Sequence, residues 1–461
     1  MTVSESRFAR RATLVLAVVA SVALLPALTG GTLAAAGTDS TLQSWGDEQV
    51  VTQDVRLDQD PTVVVTPAGR SVAMWIERRP ASDRLMVSEL LPGSASWTTP
   101  TLLNKGAFYA AITAHGYDRV TVAWQQFEPG GASISSRTLR RDGTWGPDRV
   151  ISQWTQTGGV TVSLVIAGNA QGDMTAVWTR RNHIHASYRT AGGAWQPEAV
   201  LPEAGAYAYD AVANVDRTGQ VDLVFTVPAT QGKSDLLVYH RSLNGDWSGQ
   251  WVARIATGVH FLGSTFSADA NANGDVAVAW MERARASAAW QVRTRFQPSG
   301  EPFSDAELVA KRARLPDLAV DALGVTTIAW LERDSGTLKA QLSRRSAGGN
   351  WATPQTLVSR PTGGNFYPQL QVAVNGRGDA VVHVIGQHDG GAGMVDDHRM
   401  IRCPAGAECA APFLLLGPSP YRAVTFAVTS VGGATAAWTR GCATEECIPT
   451  SVRAREMTPT S

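Results

Sequence analysis

Asn271-Ala272-Asn273-Gly274-Asp275-Val276-Ala277-Val278-Ala279-Trp280 is the stretch that decides the fold of this chain. An asparagine with a glycine three positions later is hairpin chemistry: the short polar side chain caps a turn, and the glycine takes the positive φ that closes it. The residues that follow are small or branched and apolar on both faces, as in a strand buried on both sides. The unit then recurs along the chain. Its anchor residues are Trp75, Trp124, Trp178, Phe225, Trp280, Trp330, Val384 and Trp438. Six positions before each anchor stand Gly69, Asp118, Gly172, Gly219, Gly274, Gly324, Gly378 and Gly432, and nine before stand Thr66, His115, Asn169, Asp216, Asn271, Asp321, Asn375 and Thr429.

A second aromatic follows each of the first seven anchors, as Trp97, Trp145, Trp195, Trp247, Phe303, Trp351 and Phe413. It opens a fourth strand, often with a proline soon after, and the interval leaves room for one strand between. Four antiparallel strands per repeat of about 50 residues is the pattern of a β-propeller blade. The expected fold is therefore all-β, a single propeller of eight four-stranded blades. The eighth repeat ends after a third strand near Ser451 to Glu456, and the missing aromatic strand stands at the other end of the chain as Trp45. The N-terminal strand is thus expected to close the last blade and remove an open sheet edge.

The 461 residues contain fifteen tryptophans, of which six fall on second strands and six on fourth strands. Those twelve are packing residues between blades. Trp154, Trp251 and Trp290 remain as candidates for ligand contact. With 44% hydrophobic and 17% charged residues the chain can bury a large core. Forty basic residues balance forty acidic ones, which argues against nucleic acid and against a polybasic membrane contact.

Arg7, Arg10 and Arg11 precede an apolar run from Ala12 to Leu28 and a small-residue stretch ending at Ala36. This order predicts a secretory signal peptide over 1–36, of Sec type, with the propeller over 37–461 and no membrane attachment after cleavage. The twin-arginine reading of Arg10-Arg11 lacks the rest of that pattern. Cys403, Cys409, Cys442 and Cys447 are the four cysteines. In an oxidising compartment they predict two disulfides. The strand assignment puts the first pair and the second pair on opposite faces, so the expected links are Cys403 to Cys409 and Cys442 to Cys447.

Candidate site residues follow from blade geometry. Loops from second to third strands, and from a fourth strand to the next blade, share one face. Just after the anchors that face receives Glu77, Arg78, Arg180, Arg181, Glu282, Arg283, Glu332, Arg333 and Arg440, with Arg314 at the start of the sixth repeat. An arginine fork suits carboxylates and sugar hydroxyls, and a solvated ring of salt bridges is the competing reading. Asp269, Asn271, Asn273 and Asp275 resemble the first half of a calcium loop, but the twelfth position is Trp280 rather than glutamate, so a hairpin turn is favoured. The stretch from Gln387 to His398 reads as a long polar insertion, and His383 as a satisfied core histidine. No cofactor or metal is expected.

Aromatic-rich blades with a turn before the fourth-strand tryptophan resemble the Asp-box, or BNR-repeat, propellers of the sialidase-like superfamily. Asp142-Gly143-Thr144-Trp145 comes nearest to that motif. The resemblance implies three arginines gripping a carboxylate, a tyrosine nucleophile with a glutamate partner, and an acidic aspartate. Arg314-Leu315-Pro316 is the nearest string to the family's arginine motif, in the sixth repeat and not the first. No nucleophile and acid set can be named. The expected activity is therefore a secreted, monomeric, non-catalytic propeller that binds an extracellular glycan or protein, with a remodelled sialidase-like glycoside hydrolase as the alternative.

Overall fold

The computed structural model describes residues 45–53, 57–155, 163–204, 211–229, 233–256, 266–283, 288–334, 336–361, 369–389, 394–419, 424–430, 432–440 and 451–457. They form eight antiparallel four-stranded sheets arranged as the blades of a propeller. The described residues include no helix long and apolar enough to cross a membrane. Blade 1 comprises Leu57–Val65, Ser71–Glu77, Arg84–Leu90 and Thr101–Lys105. Blades 2 to 7 follow over 107–155, 164–204, 212–256, 266–311, 313–361 and 369–419. Blade 8 takes Val424–Val428, Ala434–Arg440 and Ser451–Met457 from the C-terminal end and Gln49–Gln53 from the N-terminal end. Gln49 lies opposite Ala454 and Gln53 opposite Ser451, and Trp45 bridges Met457. The ring closes as the sequence predicts.

The cores lie between blades. Each of eight apolar clusters joins two successive blades, and each holds one anchor turned toward the blade before it. Trp124 packs with Val64 and Met74 of blade 1, and Trp75 of blade 1 packs with Ala437 and Val452 of blade 8. All six anchor tryptophans are essentially fully buried. Each indole removes on the order of 200 Å² from water, worth ~5 kcal/mol as an upper bound before chain entropy. Where the anchor is Val384, a cavity of about 20 Å³ remains between blades 6 and 7, lined by Leu331, Leu338, Val358 and Val384.

The first hairpin turns are joined around the ring. Asn271 Oδ1 accepts the N–H groups of Asn273 and Asp275, while its Nδ2 donates to Asp321 O of the next blade at 2.9 Å. Asn169 Nδ2 reaches Asp216 O at 2.7 Å, and Asn375 Nδ2 reaches Thr429 O at 3.3 Å. The turn glycines take φ near +90°. At Gly219 (φ 92°) an added Cβ would lie 2.7 Å from the Tyr188 hydroxyl of the preceding blade.

Blade 7 departs from the sequence reading in two places. In most blades the residue after the second aromatic donates its N–H to the third strand, as Gly146 does to Thr138 O and Ala352 to Arg344 O. In blade 7 the matching bond is Ala410 N to Arg402 O. The slot therefore belongs to Cys409 and not to Phe413. Cys409 is disulfide-bonded to Cys403, a covalent version of the Leu139–Trp145 cross-strand pair in blade 2. Phe413 stacks on Trp45 instead, with ring centroids 6.3 Å apart. The polar insertion is largely strand, with Ala380–Asp389 and Met394–Cys403 entering it from either side. His398 is buried there beside His383, its Nδ1 3.1 Å from His383 Nε2. Cys442 and Cys447 lie outside the described residues, as does 1–36.

A further correction concerns the fourth strands. In blades 1, 2, 3, 5, 6 and 8 the regular ladder starts four residues after the aromatic, at Thr101, Arg149, Ala199, Glu307, Gln355 and Gln49. Pro100, Pro147, Pro197 and Pro354 lie in that interval, and proline offers no N–H to a ladder.

Two carboxyls are buried on the inner strands. Asp317 receives Ser267 Oγ at 2.7 Å and the Val372 N–H of blade 7 at 2.6 Å, and Asp269 receives the Val320 N–H of blade 6 at 2.7 Å. Burial pushes both up to about 7 from the ordinary 3.8. The unfolded chain ionises first, so these acids cost stability progressively as pH rises from about 4 to about 7. Asp317→Asn retains a donor for Ser267 Oγ and an acceptor for the Val372 N–H, and it cannot ionise. Its melting temperature should equal the parent's near pH 4 and exceed it increasingly up to pH 7, whereas a pH-independent difference would refute the assignment. Deleting 41–53 exposes the edge strand Ser451–Met457 and uncovers the Trp438 core. A deletion variant melting within 2–4 °C of the parent, roughly a 1 kcal/mol effect, would contradict ring closure by this strand.

Candidate functional site

The second strands end on the face bearing the predicted collar, and the register there explains why acids recur two residues after the anchor. Trp75 donates its indole N–H to Glu77 at 3.2 Å, Trp280 to Glu282 at 3.2 Å, and Trp124 to Gln126 at 3.0 Å. These side chains satisfy donors on buried rings. Glu77 also pairs with Arg79 at 2.7 Å, and Glu282 pairs with Arg293. Glu332 takes a different partner, Gln341 Nε2 at 3.5 Å. Among the described residues the Trp330 indole N–H has no acceptor. The acidic half of the collar is thus largely structural.

The arginines separate into two groups. In blade 3, Arg180 lies over the Trp154 ring at 5.0 Å and pairs with Glu198 at 2.7 Å, and Glu198 also accepts Ser152 Oγ at 2.5 Å. His185 is 3.5 Å from the same carboxylate. Partial burial, and then the Arg180 charge, hold the His185 pKa below its ordinary value.

The second group spans blades 5 and 6. Arg283 stands over Trp290, 4.5 Å from the ring centroid. Arg314 sits opposite Leu331 at the start of its blade, and the Arg333 N–H donates to Arg312 O at 3.2 Å. Partial burial, followed by the charges of Arg333 and Arg283, lowers the Arg314 pKa. The Leu315 N–H lies 3.0 Å from Met281 Sδ, so the three arginines share one region. The backbone there is strained: Arg312 and Leu315 hold φ of 57° and 50°, and Leu315 precedes a proline. Left-handed φ at such residues costs of order 1–3 kcal/mol each and recurs at binding sites.

Trp290 is buried beneath Arg283, and Trp154 is half-buried beneath Arg180. Trp251 is 50% exposed and donates to Asp235 at 3.1 Å, beside the Arg254–Asp235 pair. Arg78 and Arg181 are exposed, and the side chain of Arg440 lies outside the described residues. Asp269, Asn271, Asn273 and Asp275 do not converge on a cation. Asp269 and Asn271 make the bonds given above, Asn273 Nδ2 donates to Ala322 O at 2.8 Å, and Asp275 receives the Ser299 N–H at 3.0 Å. The described residues hold no group of three His, Cys, Asp or Glu placed to bind a metal. Asp142 makes a small turn on the opposite face, accepting Thr144 N–H and Oγ1 at 2.9 and 2.6 Å. Those bonds lower its pKa.

No family model and no curated protein matches the chain. Solved structures similar to it include the Aleuria aurantia lectin in complex with Fucα1-6GlcNAc, at 13% identity and TM-score 0.35 over 68% of this chain and 97% of that one. Another is the Penicillium chrysogenum α-L-arabinanase complexed with arabinobiose, at 11% identity and TM-score 0.36 over 74% and 94%. A third is an α-L-arabinofuranosidase from Fusarium graminearum with an iminosugar inhibitor, at 13% identity and TM-score 0.36 over 76% and 92%.

The sequence pattern identified the arginines but not Glu198, Arg293 or Arg312, which lie on a third strand or next to strand ends with no fixed offset from an anchor. The two roles within the collar are separable. Glu77→Ala leaves a buried indole N–H unpaired and should cost about 1–3 kcal/mol, while Arg333→Ala on the exposed rim should stay within about 0.5 kcal/mol. Thermal melts of the two variants check this, and equal losses would contradict it.

Proposed function

We propose that the protein is a secreted, monomeric, non-catalytic propeller that binds an extracellular partner through the face carrying Arg283, Arg314 and Arg333. The ligand is a glycan with a carboxylate group. The supporting observation is that these three arginines lie together where blades 5 and 6 meet, with Arg283 held over the Trp290 ring. Arginine forks bind carboxylates in two-point fashion, and a ring beneath one fork fixes its plane. The Cys403–Cys409 disulfide supports export to an oxidising compartment.

A sialidase-like glycoside hydrolase with a remodelled site is the second reading, favoured by the same trio, since the resemblance calls for three arginines around a carboxylate. A glycan array on the parent and on Arg283→Ala/Arg333→Ala separates the readings when run beside chromogenic glycosides. Binding of uronate- or sialate-bearing glycans that falls at least ~10-fold in the double variant, without turnover, supports the first reading. Turnover lost in the double variant supports the second. Unchanged binding in the variant sinks both.

A further inference from the structure

The opposite face, built from the first hairpin turns and the third-to-fourth strand loops, carries a cavity of about 620 Å³ between blades 2 and 3. That is the size of a small-molecule site. Its wall includes Arg119, Arg140, Arg141, Arg149 and Arg189, with His115 at the back. The chain as a whole has no net charge, so five guanidiniums in one cavity are a strong local excess. One acid, Asp142, shares the wall; its Oδ1 accepts both Thr144 bonds, and the Arg140 charge lies near enough to lower its pKa further.

Elsewhere arginines find acids: Arg70, Arg137 and Arg180 each hold a carboxylate within 3.0 Å. Among the described residues none of the cavity's five does. Arg189 makes neutral contacts instead, Nη2 to Met174 Sδ at 3.0 Å and to Thr138 Oγ1 at 3.4 Å, and its Nε is buried without an acceptor. Arg149 Nη1 donates to Gly193 O at 3.3 Å. Rings hold two of the planes: Arg189 lies over Trp195 at 5.2 Å and Arg141 over Tyr117 at 5.6 Å.

Burial and the neighbouring charges of Arg149 and Arg119 bring Arg189 down to about 10. Burial and the charges of Arg189 and Arg119 bring His115 down to about 3, so its ring is neutral. His115 Nε2 is bonded to Thr121 Oγ1 at 2.8 Å, while its Nδ1 is buried without a partner. The cavity thus has fixed cations in excess and buried polar atoms with unmet hydrogen-bonding capacity, which is the arrangement of a site whose counter-charge arrives with a ligand.

We propose that this cavity binds a tetrahedral oxyanion carried on a sugar-sized molecule, a sulfate or phosphate ester. A carboxylate offers two oxygens to one fork, whereas the three terminal oxygens of a sulfate or phosphate ester can accept from several forks at once. The volume exceeds that of a bare ion. This site is separate from the carboxylate-binding trio and stands or falls independently of it.

Calorimetric titration of the full chain with N-acetylglucosamine 6-sulfate, glucose 6-phosphate, inorganic phosphate and neutral N-acetylglucosamine tests the proposal. Arg119 and Arg149 are exposed, so Arg119→Gln/Arg149→Gln retains the fold, as an unchanged melt verifies. Saturable one-to-one binding of at least one ester is expected, with no binding of neutral sugar and at least a ~10-fold weakening in the double variant. The tighter of the two esters identifies the source as a sulfated glycan or a phosphorylated sugar. No binding of either ester, equal binding of the neutral sugar, or an affinity unmoved in the double variant overturns the proposal.

Discussion

A four-stranded blade has no interior, and the structure depends on the contact by which each blade borrows one from its neighbour. The second strand presents its anchor to the preceding sheet, and eight such contacts make the ring. The turn glycines, the asparagine side chains bonded to the next turn, and the inner-strand aspartates all hold adjacent sheets in the register that this packing requires. Each is a polar solution to a need created by an apolar contact. Donors on the inner strands would be left unmet beside a neighbouring sheet unless a side chain from that sheet met them.

This also explains how a neutral chain acquires basic surfaces. Many carboxylates are occupied internally. Glu77 and Glu282 serve indole N–H groups, Asp275 and Asp379 anchor the third-to-fourth strand loops, and Asp269 and Asp317 tie one blade to the next. Some arginines are also occupied internally, as Arg70 is in joining Asp118 and Arg345 in joining Glu307 of a neighbouring blade. Others gather at the rims, in the trio around Arg314 and in the cavity around Arg189.

The blades were legible because tryptophan is scarce and here periodic, and because a glycine six residues upstream marks the register even where the anchor is Val384. Blade closure was legible from one unmatched tryptophan at the N-terminal end. Phe413 fits the aromatic pattern, but the slot in blade 7 is filled covalently by Cys409, which no aromatic pattern marks. The indole acceptors were visible as positions but not as roles, since sequence does not say where a ring nitrogen points. The arginine cavity left only the Arg140-Arg141 doublet as a trace, its members being drawn from turns and strand ends of two blades without common spacing.

Closure by the first strand has a kinetic side. Gln49–Gln53 must wait for Ser451–Met457, so the pairing that seals the ring is also the one separated by nearly the whole chain. Contacts of that range form late, after local hairpins and neighbouring blades have organised. Until then the chain is an open arc with two bare sheet edges, able to pair with a second copy as readily as with itself. A product lacking Ser451–Met457 is consequently an edge-exposed species rather than a smaller propeller.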